Sequence, residues 1–308
     1  MNGSPAPRAW AKSSETWTVV ANSLLENSAV RKWLGDVVPA WALLDQRSLE
    51  RLRRPPSPHG SGIRLATNLS PAEISLSAVA RNALILMHAA DIAPGLKLTM
   101  TGNLSRSIVA EMCDAFSWPE FDKSKAFRLH KVVNEPDFLP LFLIRHLLEA
   151  GKLVQRRKDR LRTTRAGRLA RESPGRDVLQ AHLFNIAFWG IDLSFFSRGL
   201  LEGWPQCDIG IVLWSLSVSA NQWEARERLT RLCTIPVNGV IEAQWDAGSS
   251  AMEGTVLRPL MFFGLLEHRA DDIPGERFVK RHLYRKTPLF DRFLAFDVRF
   301  ASDGMARH

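Results

Sequence analysis

The feature that most constrains this chain is a basic segment of 25 residues, from Lys152 to Arg176. The segment contains ten Lys or Arg residues and two acidic ones, so it carries +8 of a chain whose formal charge is +9. Two short stretches, 153–157 and 160–164, are separated by Lys158-Asp159, which predicts a β-hairpin. Concentrated positive charge on a hairpin favours contact with a polyanion.

Helices are predicted on both sides of the hairpin. Ser70 followed by Pro71 indicates the start of a helix that runs to about Ala90. A short strand over 96–102, a helix ending near Phe116 and a third helix over 137–150 follow, with Gly151 expected to supply a left-handed stop. A further short helix is expected near 165–171. This order of elements is that of a winged-helix domain, and the hairpin is its wing.

The composition between Arg51 and Gly62 is that of an exposed linker, because it combines Arg, Pro, Ser and Gly. We therefore expect a helical N-terminal extension over 1–54, a linker over 55–62, and a first winged-helix-like domain over 63–176. Residues 177–308 then form a second domain. The predicted fold class is mainly α with small β-hairpins, arranged as tandem winged-helix-like domains with an N-terminal extension.

The second domain is expected to be a divergent copy of the first. Residues 144–155 align without a gap with residues 257–268, and apolar, Arg and Gly positions stay in step. Both segments lead to a Thr that begins another helix, Thr164 in the first and Thr287 in the second. The second hairpin is ten residues longer and has an acidic turn at 271–276, so it does not keep the charge of the first. Aromatic residues are frequent around it, which fits either a core or a protein-protein surface.

Four stretches of the first domain resemble a known family: LTMTGNL at 98–104, NEPDF at 134–138, LLEAGKLV at 147–154 and RLRTTRAGR at 160–168. They are similar to the carboxy-terminal module of bacterial, plasmid-borne open-reading-frame products related to one from a root-inducing plasmid. The resemblance covers about residues 96–171. It implies a winged-helix-like fold and no particular reaction. Lys158-Asp159 stands where that family tends to have Lys-Gly, which leaves the type of turn open.

The sequence contains none of the common catalytic or phosphate-binding motifs. Three separated cysteines without a C-x-x-C do not suggest a disulfide framework or a zinc site, and no two of the eight His have metal-ligand spacing on a helix face. No stretch is apolar enough to span a membrane. We therefore expect a cytoplasmic protein that is not an enzyme and has neither cofactor nor metal.

The favoured function is nucleic-acid binding, to DNA rather than RNA, in a bacterial regulator or plasmid-associated factor. The candidate phosphate contacts are the basic residues about the hairpin: Arg156, Arg157, Lys158, Arg160, Arg162, Arg165 and Arg168. Asn134 and Arg145 are candidates for reading bases, although Glu135 and Asp137 at the start of the third helix oppose its approach to DNA.

Three alternatives stay open. The charge can instead protect the edge of a sheet from aggregation. The chain can also be an interaction module that binds a protein partner, or itself, through the second domain or the N-terminal helices. An enzyme of unrecognised type is the minor alternative.

Overall fold

The computed structural model describes residues 25–121, 133–197, 201, 203–243, 246–276 and 279–301. Within them the chain is mainly helical, with antiparallel sheets of two or three strands, as the sequence predicts. It forms two compact units. The first contains residues 67–191 and 262–264, and the second contains the described residues of 25–66, 192–261 and 265–301. No helix among the described residues has both the length and the apolar character that a membrane crossing requires.

The N-terminal stretch belongs to the second unit. Its elements are α1 (Ser28–Leu34), a 3-10 turn (Ala40–Leu43), α2 (Gln46–Leu52) and β1 (Ile63–Leu65). Trp41 is buried and its Nε1 donates to the Thr234 carbonyl at 2.9 Å, so this stretch is an integral part of that unit. Residues 55–62, expected to link two domains, instead join α2 to β1 inside it. Residues 1–24 of the expected N-terminal extension lie outside the described residues.

The first unit carries the basic segment. Its elements are α3 (Pro71–Leu76), α4 (Ala78–Asp91), β2 (Leu96–Lys97), α5 (Arg106–Ala115), a 3-10 turn (Glu135–Asp137), α6 (Leu139–Ala150), β3 (Val154–Arg157), β4 (Arg160–Thr163), α7 (Arg165–Leu169), a second 3-10 turn (Gly175–Val178), α8 (Leu179–Asn185) and a π-helical segment (Ile186–Gly190). The strand order of its sheet is β2-β4-β3. The unit continues past residue 176, the expected domain boundary, to Ile191.

Two local expectations for the first unit are corrected. The helix expected from Ser70 to about Ala90 divides at Ser77, whose backbone is extended and whose hydroxyl accepts from the Ala80 amide to cap α4. Gly151 has ordinary helical dihedral angles (φ −76°), and Lys152 takes the left-handed position with φ 56°. A Cβ at position 151 would lie 2.7 Å from Ile186 Cδ1, so a larger residue there would require the end of that side chain to shift.

The remaining elements of the second unit repeat the order of the first. They are α9 (Ser194–Ser197), a 3-10 turn (Gln206–Asp208), α10 (Ile209–Ser219), β5 (Glu224–Ala225), α11 (Arg226–Cys233), α12 (Asn238–Ile241), α13 (Ala247–Met252), a π-helical segment (Glu253–Leu257), α14 (Arg258–Phe262), β6 (Leu266–Asp272), β7 (Lys280–Lys286), α15 (Pro288–Phe293) and β8 (Leu294–Phe296). The sheet order is β5-β7-β6, equivalent to β2-β4-β3, and β8 pairs separately with β1. The shared order is consistent with the predicted duplication.

Candidate nucleic-acid interface

The basic hairpin consists of β3 and β4, joined by Lys158 and Asp159. Lys158 adopts φ 56°, the left-handed conformation that the tight reversal requires. One face of the hairpin packs into the unit through Val154 and Leu161, which are almost completely buried. Arg156 lies on that same face, opposite Leu161, but is exposed. On the same face Thr163 donates to the Met87 carbonyl of α4. These contacts fix the hairpin to the core and turn its other face outward.

The outward face carries a row of three cations across three strands. Arg157 of β3 lies directly opposite Arg160 of β4, and Arg160 lies directly opposite Lys97 of β2. Directly opposed residues point to the same face of a sheet, with Cβ atoms about 5 Å apart, and like charges in such pairs destabilise the sheet. Arg162 is on the same face, two residues along from Arg160. The row therefore concentrates repulsion in the folded protein.

Several of the predicted basic residues are held in place by backbone carbonyl groups. Arg162 Nε donates to the Pro94 carbonyl at 3.0 Å, and Arg160 donates to the Gly95 carbonyl at 3.3 Å. Gly95 has φ 90°, and a Cβ there would lie 2.8 Å from the Arg162 side chain, so glycine allows that side chain to lie along the turn. Arg156 Nε donates to the Lys158 carbonyl at 3.1 Å. For Arg156 and Arg162, a hydrogen bond to a carbonyl group leaves the positive charge of the guanidinium uncompensated.

Two carboxylates, Asp91 and Asp159, lie close to basic residues of this surface. Asp91 accepts from Arg168 at 3.2 Å and from Arg171 at 2.8 Å. Burial alone would raise the pKa of Asp91, but the hydrogen bonds from these two guanidinium groups hold it below its ordinary value of 3.8. Asp159 lies 3.6 Å from Arg160 and is itself exposed. Arg168, one of the candidate phosphate contacts, is therefore partly committed to an internal ion pair.

Four basic side chains about the hairpin have no hydrogen-bond or ion-pair partner among the described residues: Lys97, Arg157, Lys158 and Arg165. All four are exposed. Such side chains keep their full charge and their freedom to meet a phosphate, which makes them the strongest candidates for an anion contact.

Arg145 lies inside the first unit. Its side chain is only 10% exposed, and it donates to Glu135 at 2.7 Å and to the Gly102 carbonyl at 2.8 Å, with Glu149 at 3.2 Å. Base reading by Arg145 does not fit this arrangement, because the guanidinium is already occupied by internal partners. Burial raises the pKa of Glu135 above 4.5, although the charge of Arg145 partly offsets that rise.

Asn134 is exposed and has a capping role. Its backbone amide donates to Asp137 Oδ2 at 2.9 Å, and its side-chain oxygen accepts from Arg106 at 3.2 Å. Acidic residues before α6 were expected to oppose the approach of that helix to DNA. The structure reduces that opposition, because Glu135 is fully buried with Arg145 and only Asp137 faces solvent.

Helix α6 itself presents little surface. Leu139 and Ala150 are its only exposed residues, and the helix packs against α4, α5, β3 and the π-helical segment at 186–190. A helix enclosed in this way has few side chains to place in a major groove. The geometry therefore concentrates the candidate contacts on the hairpin and on β2.

An open cleft of about 770 Å³ lies beside the hairpin. Lys97, Thr99, Ser105, Arg106 and Asn134 are among its lining residues. Lys97 and Arg106 were not among the candidate residues from sequence. Local sequence spacing could not indicate that Lys97 lies beside the hairpin, because the pairing of β2 with β4 brings together residues more than sixty positions apart.

Residues 75–176 match the family described as the Y4jL N-terminal domain. The chain is 33% identical over 106 residues to "Uncharacterized protein y4jL" of Sinorhizobium fredii (strain NBRC 101917 / NGR234), an alignment that covers 34% of this chain and 47% of that relative. The chain thus spans about half the length of the relative it matches. No solved structure matches the chain.

The family match contains the whole of residues 96–171, where the sequence resembles a module of bacterial open-reading-frame products. The matching domain is described as N-terminal, whereas the resemblance pointed to a carboxy-terminal module. About a third of the chain, corresponding to the first unit and its basic hairpin, is therefore similar to the Y4jL N-terminal domain of a bacterial protein.

Proposed function

We propose that the first unit is a winged-helix-like module that binds duplex DNA through phosphate contacts of its basic hairpin. The observation that carries the proposal is the cross-strand row of Arg157, Arg160 and Lys97. A row of opposed like charges costs stability in the free protein. A phosphodiester backbone, which presents negative charge at regular intervals, compensates that repulsion when it is bound.

Protection of a sheet edge explains the charge less well. In the sheet order β2-β4-β3, strand β4 is central, and a central strand has no free edge to protect. Arg160 and Arg162 nevertheless lie on β4. An edge-protecting pattern would place the charges on β3 and β2 alone. Phosphate binding accounts for charge on all three strands.

The contacts are expected to give affinity with little sequence selectivity. Guanidinium and ammonium groups on phosphate oxygens sense charge and backbone position rather than base identity. The burial of Arg145 and the enclosure of α6 remove the usual elements of base recognition. We therefore expect similar affinities for unrelated duplexes of equal length, and a steep fall of affinity with salt.

Fluorescence anisotropy with a labelled duplex at several salt concentrations tests the proposal. The variant replaces Lys97, Arg157, Arg160 and Arg162 with Ala in the full chain. The slope of log K against log salt should become shallower by about 3 to 4, since each lost phosphate contact removes about 0.9 to 1.

A matched control variant loses the same amount of positive charge at other positions. It replaces four exposed basic residues with Ala: Lys32, Arg47, Arg64 and Arg281. It should retain nearly the native slope. Equal losses in the two variants would reduce the effect to net charge and reject the hairpin as the site. Absence of any binding by the native chain at low salt would instead favour the interaction-module alternative.

A further inference from the structure

The second unit contains a cluster of two imidazoles and a carboxylate that the DNA proposal does not use. His268 on β6 and His282 on β7 place Nε2 and Nδ1 2.9 Å apart, with the two rings nearly parallel. His282 Nδ1 lies 3.5 Å from Glu253 Oε1. One donor atom from each of the three residues lies within 4.8 Å of the others, and all three side chains are half-buried.

These separations suit a tetrahedral metal ion. Zinc lies about 2.0–2.1 Å from imidazole nitrogen and about 2.0–2.2 Å from carboxylate oxygen. Ligand atoms at tetrahedral angles are therefore about 3.3–3.5 Å apart. The separation of His282 from Glu253 already has this value, and the two imidazole nitrogens need to open by a few tenths of an ångström. The third separation, between His268 and Glu253, is within 4.8 Å.

The surrounding residues orient the ligands in the way that metal sites require. Arg226 donates to Glu253 Oε2 at 2.5 Å, and the buried Tyr284 hydroxyl donates to Glu253 Oε1 at 2.8 Å. Tyr284, the only tyrosine of the chain, also stacks on the His268 ring with centroids 4.7 Å apart. Outer hydrogen bonds and stacking of this kind fix ligand geometry.

The backbone supports the same placement. Glu253 begins the π-helical segment Glu253–Leu257, and π-helical turns in proteins occur frequently at functional sites.

We propose that Glu253, His268 and His282 bind a divalent transition-metal ion, with Zn²⁺ as the preferred ion. Two imidazoles and one carboxylate are ligands that zinc accepts, and three protein ligands leave a fourth position for water or an external donor. The ion links both strands of the second hairpin to the π-helical segment. Sequence spacing predicted no metal site because His268 and His282 meet only through strand pairing.

The described residues of the first unit contain no equivalent cluster. At the ungapped alignment offset, Gln155 corresponds to His268 and Pro140 corresponds to Glu253. Neither replacement offers an imidazole or a carboxylate. The proposed site is thus a property of the second unit alone, and it is independent of the DNA proposal.

A Co²⁺ and Zn²⁺ titration of the full chain, purified without a polyhistidine tag and stripped with a chelator, tests the site. Visible absorption of bound Co²⁺ reports four-coordinate geometry, and calorimetry gives the Zn²⁺ stoichiometry. We expect one equivalent of metal. His268→Asn and His282→Asn should each weaken binding by at least about 100-fold, because loss of a ligand exceeds the 10–100-fold effect of outer-shell changes. His59→Asn, at an exposed loop position, should leave binding unchanged.

A second measurement uses the unaltered chain, in case the variants do not fold. Diethyl pyrocarbonate modifies accessible imidazoles, and mass spectrometry locates the products. Zn²⁺ should protect His268 and His282 while leaving His59 reactive. Absence of saturable Co²⁺ or Zn²⁺ binding by the native chain, or native affinity in the folded His variants, would overturn the proposal. Equal reactivity of the two histidines with and without Zn²⁺ would also do so.

Discussion

The hairpins β3-β4 and β6-β7 lie in sheets with the same strand order, but their basic residues are paired with acids to different extents. In the second hairpin, acidic partners lie beside the basic residues: Arg269 with Asp271 at 2.9 Å, Lys280 with Asp272 at 3.3 Å and Arg285 with Glu267 at 2.7 Å. Arg269 and Arg285 also lie over the Trp223 ring. In the first hairpin, Arg157 and Lys158 have no such partner among the described residues.

The charges of the second hairpin stabilise the hairpin itself, whereas those of the first hairpin suit a bound anion. On the second hairpin, each of these basic side chains forms an ion pair with an acidic one, so its charge is balanced without a ligand. Opposed like charges on the first hairpin lower stability unless an anion is bound. The difference supports our proposal that the first hairpin binds phosphate, and it predicts that the two hairpins respond differently to equivalent substitutions.

The largest expected difference concerns one aligned arginine. Arg145 and Arg258 occupy the same position in the alignment, but Arg145 is buried with Glu135 and Arg258 is exposed. Arg145→Ala leaves a buried carboxylate without its cation and should destabilise the protein by about 3–5 kcal/mol. Arg258→Ala should cost about 1 kcal/mol or less. Urea unfolding of both variants checks the contrast, and comparable losses would contradict it.

Much of the fold could be predicted from local sequence signals. Ser70 and Pro71 predicted the start of a helix, and the structure confirms it and adds a capping box between Ser70 and Glu73. The hairpin limits were predicted closely, because Lys158-Asp159 separates two short stretches that each suit a strand. The division at Ser77 was missed because apolar periodicity continues across it, while its extended backbone depends on tertiary packing.

The candidate site was predicted less completely, because its geometry depends on distant residues. Lys97 joins the cation row only through pairing of β2 with β4. Sequence alone suggests that Glu135, which precedes α6, is part of a solvent-exposed cap. Its burial as the partner of Arg145 was therefore not foreseen, and Arg145 was kept as a candidate for base reading. Residues 25–66 pack in the second unit through long-range contacts such as that of Trp41 with Thr234, which no local composition reveals.

An intermediate effect is expected when the acids of the second hairpin are neutralised. Asp271→Asn with Asp272→Asn releases Arg269 and Lys280 from their ion pairs. If free cations on a hairpin suffice for phosphate contact, duplex affinity at low salt should rise by about 3- to 10-fold. Anisotropy titrations measure the change. Asp36→Asn with Glu50→Gln alters net charge equally at exposed positions, and an equal gain there would show that hairpin position does not matter.

The smallest effect is the sharpest test of the cation row. Arg157→Glu replaces a repelling pair with an attractive one opposite Arg160, so the free energy of unfolding should increase by about 0.2–1 kcal/mol. The gain should shrink in 1 M salt, which screens exposed charges. It should vanish in an Arg160→Gln background, because the double-mutant cycle then removes the pair.

Duplex affinity should move in the opposite direction, falling by about 10-fold or more in Arg157→Glu, because a phosphate contact is replaced by a repulsion. If the charge only protects a sheet edge, stability and duplex affinity should not change in opposite directions, since a glutamate blocks strand pairing as well as an arginine does. A variant that is more stable and binds DNA less tightly would show that the row is maintained for an anion at a cost to the fold. A variant with unchanged affinity would leave only edge protection as the reason for its charge.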